Sequence, residues 1–179
     1  DNAIWGDEGV TMQPIDVDQR YNFLNPRLGI SYIHHRHNLF ASVAVAHREP
    51  TRSDFTDRYM FSADDSYPKP ERLIDFEVGY TYIAPRLSLG INLYYMLYHN
   101  QLVATGMVND GDDALNTNVD KSYRRGVELM ASWRVAKWFT LSANATLSQN
   151  KIKDYVDELK DSPTYGENLG DMTISYSPS

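Results

Sequence analysis

Apolar and polar residues alternate with a period of two along most of the chain. Between Arg86 and Tyr98 the odd positions are apolar: Leu87, Leu89, Ile91, Leu93, Tyr95 and Leu97. Because a β-strand sends alternate side chains to opposite faces, this pattern predicts a strand with one apolar and one polar face. The same alternation occurs at 74–82, 127–135 and 139–147 and, more weakly, at 28–32, 39–45 and 172–176. The sequence therefore predicts an all-β chain of about seven long strands.

The connections between these segments alternate in length. Short connections occur at 34–38, 84–85 and 136–137, and long polar ones at 49–71, 99–123 and 150–169. This arrangement puts every short turn at one end of the sheet and every long loop at the other. Such sorting is typical of outer-membrane barrels, in which periplasmic turns are short and extracellular loops are long. It favours an antiparallel up-and-down meander, with strands of roughly 9 to 14 residues, over a soluble β-sandwich.

Aromatic residues give an independent indication of a membrane. On the apolar parity, one aromatic residue lies beside each short turn and one near the end of the chain: Tyr32, Tyr82, Trp133, Phe139 and Tyr176. Amphipathic rings prefer the depth of the lipid headgroups, so these positions predict an aromatic girdle at one membrane interface.

The polar face of the predicted strands carries many charged and amide side chains: Asp75, Glu77, Arg86, Asn92, Glu128, Arg134 and Asn144. A small closed barrel would bury these groups without partners at a large free-energy cost. A wide hydrated lumen, or one filled by a polar plug, accommodates them. Seven strands cannot close such a barrel, so the sequence predicts an arc of a large transmembrane β-barrel.

Composition excludes several other classes of protein. The 179 residues contain 17 Lys and Arg against 24 Asp and Glu, a formal net charge of −7, which argues against a nucleic-acid partner. Cys is absent, so disulfide scaffolds and thiolate metal sites are excluded. The longest apolar run, Leu93 to Tyr98, is far shorter than the roughly 18 residues of a membrane-spanning helix.

Four segments, in order, resemble the late barrel region of TonB-dependent outer-membrane receptors. They are Asn25-Pro26-Arg27-Leu28-Gly29-Ile30-Ser31-Tyr32, the run from Phe40 to Thr51, the "KPE…FEVGY" segment from Pro68 to Tyr80 with its following strand 93–98, and Asn116-Thr117-Asn118 leading to Gly126-Val127-Glu128-Leu129. The resemblance covers nearly the whole chain from about Tyr21 onward.

The resemblance implies a fold, a function and partners. Members of the family have a plug domain and a barrel of about 22 strands. We therefore expect residues 1–20 to be a remnant of an extracellular loop and 21–179 to be a partial barrel that lacks the plug and closing strands. The parent protein would lie in the outer membrane of a Gram-negative bacterium. It would import an iron complex, a siderophore or haem, with energy from the TonB complex.

Other functions stay open at this point. Within the family, the parent could import a glycan or cobalamin. From another class, the chain could be a soluble β-sandwich that binds a ligand or mediates adhesion. An enzyme is not expected, because no nucleophile elbow, zinc-protease motif or glycine-rich phosphate loop occurs. No cofactor is predicted.

Arginine and tyrosine residues on or near the long loops are the candidates for ligand contact: Arg48, Arg52, Arg58, Tyr59, Tyr123, Arg124 and Arg125. Arginine makes bidentate contacts with carboxylate, phosphate or catecholate-like groups, and tyrosine stacks on a ligand. Alternatively, the arginines pair with Glu49, Asp54 and Asp57 in an ordinary polar rim.

Two clusters resemble metal sites only superficially. His34-His35-Arg36-His37 contains imidazoles, but it lies at a short turn with no carboxylate beside it. Asp110-Gly111-Asp112-Asp113 has oxygen ligands, but it lacks the spacing and the terminal Glu of a calcium-binding loop. We therefore predict no metal site.

Overall fold

The computed structural model describes residues 18–56, 67–108, 114–156, 163–164 and 166–174. These residues form the strands and helix β1 (Arg27–His34), β2 (His37–Arg48), α1 (Arg52–Thr56), β3 (Glu71–Ile83), β4 (Leu87–Val108), β5 (Ala114–Ala136), β6 (Phe139–Ile152) and β7 (Met172–Thr173). The period-two segments at 28–32, 39–45, 74–82, 87–97, 127–135 and 139–147 are thus strands, as predicted, and of the segment at 172–176 the described strand is Met172–Thr173. No helix in this described part of the chain is long and apolar enough to cross a membrane.

The strands form one sheet in which each pairs with its neighbour in sequence. The spatial order is β1-β2-β3-β4-β5-β6-β7, and every pairing is antiparallel. This confirms the antiparallel up-and-down meander. The sheet does not close on itself, as expected for an arc of a barrel. Within the described residues no second sheet packs on it, whereas a β-sandwich consists of two sheets packed face to face.

The strand register collects the predicted apolar positions on one face, here called the apolar face. One row across six strands consists of Ile30, Ala41, Val78, Leu93, Val127 and Leu147. Large side chains on this face are open to the surroundings; Ile30 is 75% exposed and Leu147 72%. Monomeric soluble proteins rarely expose contiguous apolar patches of this extent, whereas a barrel turns such a face toward lipid.

The opposite face, here called the polar face, carries the predicted lumenal residues. Asp75, Glu77 and Asn92 lie on it, together with Glu128 and Asn144. Asn92 donates a hydrogen bond from Nδ2 to Oε2 of Glu128 at 3.3 Å. The strand alternation inferred from sequence therefore assigns both faces correctly.

The short turns agree with the sequence, but one long loop does not exist as predicted. Turns occupy residues 35–36, 84–86 and 137–138. Residues 99–123 were predicted to be a loop, yet β4 continues to Val108 and β5 begins at Ala114, with strands of 22 and 23 residues. The prediction was wrong because it required an apolar alternation. Consecutive apolar residues such as Leu102 and Val103 break the alternation, but an antiparallel hairpin is held by its backbone ladder whatever the order of its side chains.

A small apolar core lies at this extended end of the sheet. Val103, Val119, Ile152 and Ile174 are its buried members, and Tyr155 packs against them. The apolar face below has few buried side chains, because nothing in the described chain covers it. Packing within the chain is therefore concentrated at the end where the long connections meet.

Two interior glycines receive an aromatic ring from the neighbouring strand. Gly79 pairs with Phe40, and Gly126 pairs with Tyr94. A Cβ at Gly79 would overlap the Phe40 ring, and one at Gly126 would overlap the Tyr94 hydroxyl. In both pairs the glycine makes room for a cross-strand ring.

Candidate functional site

The long connections are attached to the sheet through Glu71, the glutamate of the KPE segment. Its buried carboxylate accepts a hydrogen bond from Arg48 Nη2 at 2.8 Å and from the backbone N–H of Leu102 at 2.6 Å. The first contact is also the ion pair between β2 and β3. One carboxylate at the start of β3 therefore joins three consecutive strands.

Asp54 fixes the short helix α1. Its Oδ2 accepts hydrogen bonds from the backbone N–H and the hydroxyl of Thr51, at 2.8 and 2.6 Å, as in a capping box. Its Oδ1 accepts one from Asn116 of β5 at 3.0 Å. Burial by itself raises the pKa of Asp54, but these hydrogen bonds and the Arg48 charge outweigh it and hold the pKa below its usual value.

Asn118 makes a second attachment between the same connection and the hairpin. Its side chain accepts from the Lys69 N–H at 2.8 Å and donates to the carbonyl oxygens of Lys69 and Asn100, at 3.0 and 2.7 Å. The Asn116-Thr117-Asn118 segment that carries the family resemblance thus fastens the 49–70 connection to β5.

Arg124 lies on the polar face, below these attachments. Its guanidinium carbon is 5.2 Å from the centroid of the Tyr98 ring, within the range of a cation–π contact. Its Nε is buried and has no hydrogen-bond partner among the described residues. Arg124 therefore retains a free donor on the side of the sheet that a barrel turns toward its lumen.

Tyr123 and Arg125 lie on the other face. Tyr123 pairs with Leu97 and Arg125 with Tyr95, both on the apolar face. Arg125 donates to Gln149 Oε1 through Nε and Nη2, at 2.9 and 2.6 Å. The sequence prediction grouped these two residues with Arg124, but the structure separates them from it by the thickness of the sheet.

The remaining ligand candidates are distributed over the long connections. Arg48 is held by Glu71, and Arg52 is an exposed residue of α1. Arg58 and Tyr59 lie outside the described residues. The structure therefore brings only part of the predicted set together.

Four of the five aromatic residues predicted to lie at a membrane interface are among the described residues. Tyr32, Tyr82, Trp133 and Phe139 lie on the apolar face within a few residues of the short turns. Tyr176 lies outside the described residues. The sequence analysis missed Trp138, which sits in the turn before β6 and is 87% exposed. It was missed because it interrupts the alternation.

The histidine turn contains close ring contacts. His34 Nε2 and His35 Nδ1 are 2.9 Å apart, and His37 Nδ1 is 2.7 Å from the Tyr80 hydroxyl. The described residues contain no group of three or more metal-ligating side chains. The acidic segment 110–113 lies outside them.

A row of basic side chains crosses the apolar face where its apolar residues end. His47, Arg72, His99 and Lys121 are paired in register, and the Lys153 N–H donates to the Lys121 carbonyl at 2.9 Å. Burial lowers the pKa of His99, and the charges of its register partners Arg72 and Lys121 lower it further. The sequence alone could have predicted this row, because continuing the alternation by two residues from Leu97 and Ile74 leads to His99 and Arg72 on the same face.

Comparison with known proteins finds one matching family and several solved structures with a similar fold. The family model described as "TonB dependent receptor-like, beta-barrel" matches residues 5–178. No curated protein sequence matches the chain. Solved structures with a similar fold include the copper transporter OprC, with 17% identity, a TM-score of 0.58, and coverage of 74% of this chain and 22% of that one.

Two further solved structures with a similar fold are an iron transporter and a ferric-catecholate import receptor. The FrpB iron transporter from Neisseria meningitidis has 21% identity and a TM-score of 0.55, over 82% of this chain and 23% of that one. The ferric-catecholate import receptor Fiu from E. coli K12 has 18% identity and a TM-score of 0.51, over 73% and 18%. The chain thus spans about a fifth of the length of the structures it matches.

Proposed function

Because the chain belongs to the TonB-dependent receptor family, as a segment of its β-barrel, we propose that its parent protein imports a scarce nutrient across the outer membrane. Members of this family are transporters of Gram-negative outer membranes. The observation that carries the proposal is the two-faced sheet. An exposed apolar face is backed by a polar face across six strands, as a lipid-facing barrel wall around a hydrated lumen requires.

The proposed substrate is an iron complex, a siderophore or haem. The iron and ferric-catecholate transporters among the similar structures support this choice, although they share only the fold with this chain. In this proposal the TonB complex supplies the energy through parts of the parent outside this chain. Glycans and cobalamin remain the alternative substrates, because the described residues include no group selective for iron.

Among the candidate residues, we propose that Arg124 contacts the substrate. It faces the lumenal side, its Nε has no partner among the described residues, and Tyr98 offers a ring beside it. An anionic ferric complex would accept hydrogen bonds from this guanidinium. Replacing Arg124 by Gln should therefore weaken binding of such a complex about tenfold, whereas Arg134→Gln, at the short-turn end of β5, should not.

Growth with and without iron tests the proposal. An antibody against this chain should detect a heat-modifiable outer-membrane band that increases on iron starvation, and radiolabelled iron uptake should fall when the gene is deleted. A band that responds to cobalamin or polysaccharide supply instead would replace the substrate. A band found only in the soluble fraction would contradict the membrane assignment.

A further inference from the structure

One row of the polar face carries charges of both signs. In register across five strands it consists of Arg27, Ala44, Asp75, Met96 and Arg124, here called the mixed-charge row. Neighbouring strands are about 4.8 Å apart, so the backbones of Asp75 and Arg124, which lie two strands apart, are separated by about 10 Å. Within the described residues, Asp75 and Arg124 form no ion pair with each other.

Asp75 and Arg124 each keep a buried atom without a hydrogen-bond partner. Among the residues that the structure describes, nothing bonds to Asp75 Oδ1 or to Arg124 Nε. Burying such an atom costs free energy until a partner is supplied. An ionised carboxylate only accepts hydrogen bonds, and a guanidinium only donates them. A ligand that satisfies both atoms therefore donates at Asp75 and accepts at Arg124.

The surface between these two atoms is apolar and aromatic. Met96 lies between Asp75 and Arg124 in the row, and Tyr98 follows Met96 on the same face of β4. The Tyr98 hydroxyl donates to Met96 Sδ at 3.8 Å, and the Arg124 guanidinium carbon is 5.2 Å from the Tyr98 ring centroid. A thioether and an aromatic ring pack well against methylene groups. This surface therefore suits an apolar linker between the two polar ends of a ligand.

The mixed-charge row lies near the end of the sheet where the long connections meet. Asp75 is four residues along β3 from Glu71, the carboxylate that joins three strands at this end. In the next row toward the short turns, Glu77 is followed by Tyr94 and Gly126, with no cation among the described residues of that row. In the described chain, the mixed-charge row is thus the one that leaves a charged acceptor and a charged donor unpartnered.

We propose that Asp75 and Arg124 together bind a ferric complex that carries both anionic chelating oxygens and a free ammonium group. The chelating oxygens accept hydrogen bonds from Arg124, and the ammonium group donates to Asp75. The methylene groups between them lie on Met96 and Tyr98. This inference rests on the proposed function and deepens it, because it selects an amine-bearing chelate over an iron complex that is anionic throughout.

Binding of two matched chelates to the purified full-length protein in detergent tests the proposal. The probes are the ferric complex of desferrioxamine B, a trihydroxamate with a free amine, and the same complex after acetylation of that amine. We expect the amine-bearing complex to bind about tenfold more tightly in isothermal titration calorimetry, because acetylation removes the charge-assisted hydrogen bond to Asp75. Equal binding of the two complexes, or no binding of the amine-bearing one, would overturn the proposal.

Two variants address the two ends of the ligand separately. Asp75→Asn should remove the preference for the amine-bearing complex, whereas Arg124→Gln should weaken the binding of both complexes equally. The matched control is Glu77→Gln, which removes a carboxylate from the same strand and face and should keep the preference. Loss of the preference in this control, its retention in Asp75→Asn, or unchanged binding in Arg124→Gln contradicts the assigned site.

Further measurements distinguish this proposal from a structural role of Asp75 and from the proposed function. If Asp75→Asn lowers the temperature of the heat-modifiable gel shift but keeps the preference, Asp75 has its partner within the parent protein and the ligand site is overturned. Cells that use the parent protein to take up iron from another complex, when the purified protein does not bind the amine-bearing chelate, contradict only the substrate class. Specific binding of that chelate by a protein whose deletion leaves iron uptake unchanged supports the ligand site and contradicts iron import.

Discussion

At the scale of single residues, the sheet depends on pairs that cross between strands. Phe40 lies over Gly79 and Tyr94 over Gly126, and in each pair the ring occupies the space of an absent Cβ. The aromatic ring packs on the glycine backbone, and this contact replaces the side-chain packing that a glycine cannot provide. Strand glycines are therefore tolerated here because a partner compensates for them.

Gly79→Ala should destabilise the barrel by about 1 to 3 kcal/mol, because the Phe40 ring must leave its position to admit the new Cβ. The loss appears as a lower temperature for the heat-modifiable gel shift of the full-length protein. Gly29→Ala is the matched control, since a Cβ there would be 3.6 Å from its nearest neighbours, an ordinary contact. An equal effect at both positions would contradict the role given to the ring.

The protonation of His99 should depend on the other basic side chains in its row on the apolar face. Burial lowers the pKa of His99, and Arg72 and Lys121 lower it further, so the neutral imidazole is the favoured form. Because the unfolded chain binds this proton more readily, the contribution of His99 to stability is present above the ordinary pKa of about 6.5 and is lost as pH falls through it. Arg72→Gln should raise the pKa of His99, measured by NMR of labelled histidine.

Arg134→Gln is the control for that titration, because Arg134 lies at the opposite end of β5. If Arg72→Gln leaves the titration unchanged, the charge of Arg72 does not act on His99.

At the scale of elements, the long connection between β2 and β3 is attached rather than loose. Asp54 and Asn116 join α1 to β5, Asn118 joins Lys69 to the same strand, and Glu71 joins β2 to β4. These contacts explain the polar segments of the family resemblance. Their amide and carboxylate groups satisfy backbone and side-chain partners at the place where the ladder gives way to connections.

Asp54→Asn should loosen α1, because the neutral amide is a weaker cap and loses the charge-assisted hydrogen bonds from Thr51 and Asn116. Hydrogen exchange of the Thr51 amide, which donates to Asp54 Oδ2, should become about five- to tenfold faster, the equivalent of roughly 1 kcal/mol. Glu49→Gln, an exposed acid on the same connection, should leave the exchange unchanged.

Acid should have the same effect as that substitution. The pKa of Asp54 is held below 3.8, so the attachment is complete above the ordinary carboxyl pKa and is lost as pH falls through the lower folded value. Exchange of α1 that is independent of pH between 5 and 2, after correction for the intrinsic rate, would contradict this link.

The sequence predicted the strands well because burial of one face imposes a period of two, and a slip of one residue would exchange the faces. It failed at 99–123, where a continuous backbone ladder forms the hairpin although consecutive apolar residues such as Leu102 and Val103 break the alternation. It also placed Tyr123 and Arg125 with Arg124 by their nearness in sequence, although parity counted from Val127 assigns them to the apolar face. The sequence could not predict the hydrogen bonds of Asp54 with Asn116 and of Asn118 with Lys69. These bonds link residues far apart in the sequence, and they require the arrangement of the strands to be known.

At the scale of the whole molecule, the sheet separates two environments and carries different chemistry toward each. The apolar face ends in cations, and the polar face carries the carboxylates and Arg124. This separation follows from the period-two pattern on six strands, but its meaning depends on the lipid around it. A barrel wall is stable only when the apolar face remains in contact with hydrocarbon.

A charge on the apolar face should therefore prevent assembly. Leu129→Arg, near the middle of that face on β5, should cost about 2 to 4 kcal/mol and reduce the heat-modifiable outer-membrane band. Asn144→Arg places the same charge on the polar face of the adjacent strand, opposite Met130, and should cost far less. If both variants assemble equally, the apolar face does not meet lipid.

The length of the β4–β5 hairpin affects which part of the protein is accessible at the cell surface in the proposed orientation. Ala114, the register partner of Val108, lies seven residues before Lys121, which at about 3.3 Å per residue amounts to roughly 23 Å of paired strand beyond the row of basic side chains. In the proposed orientation this hairpin projects past the headgroups into the surrounding medium. Of the described chain, it is the part that an antibody or a bacteriophage meets first, and a stiff epitope of this kind keeps its shape when the membrane around it changes.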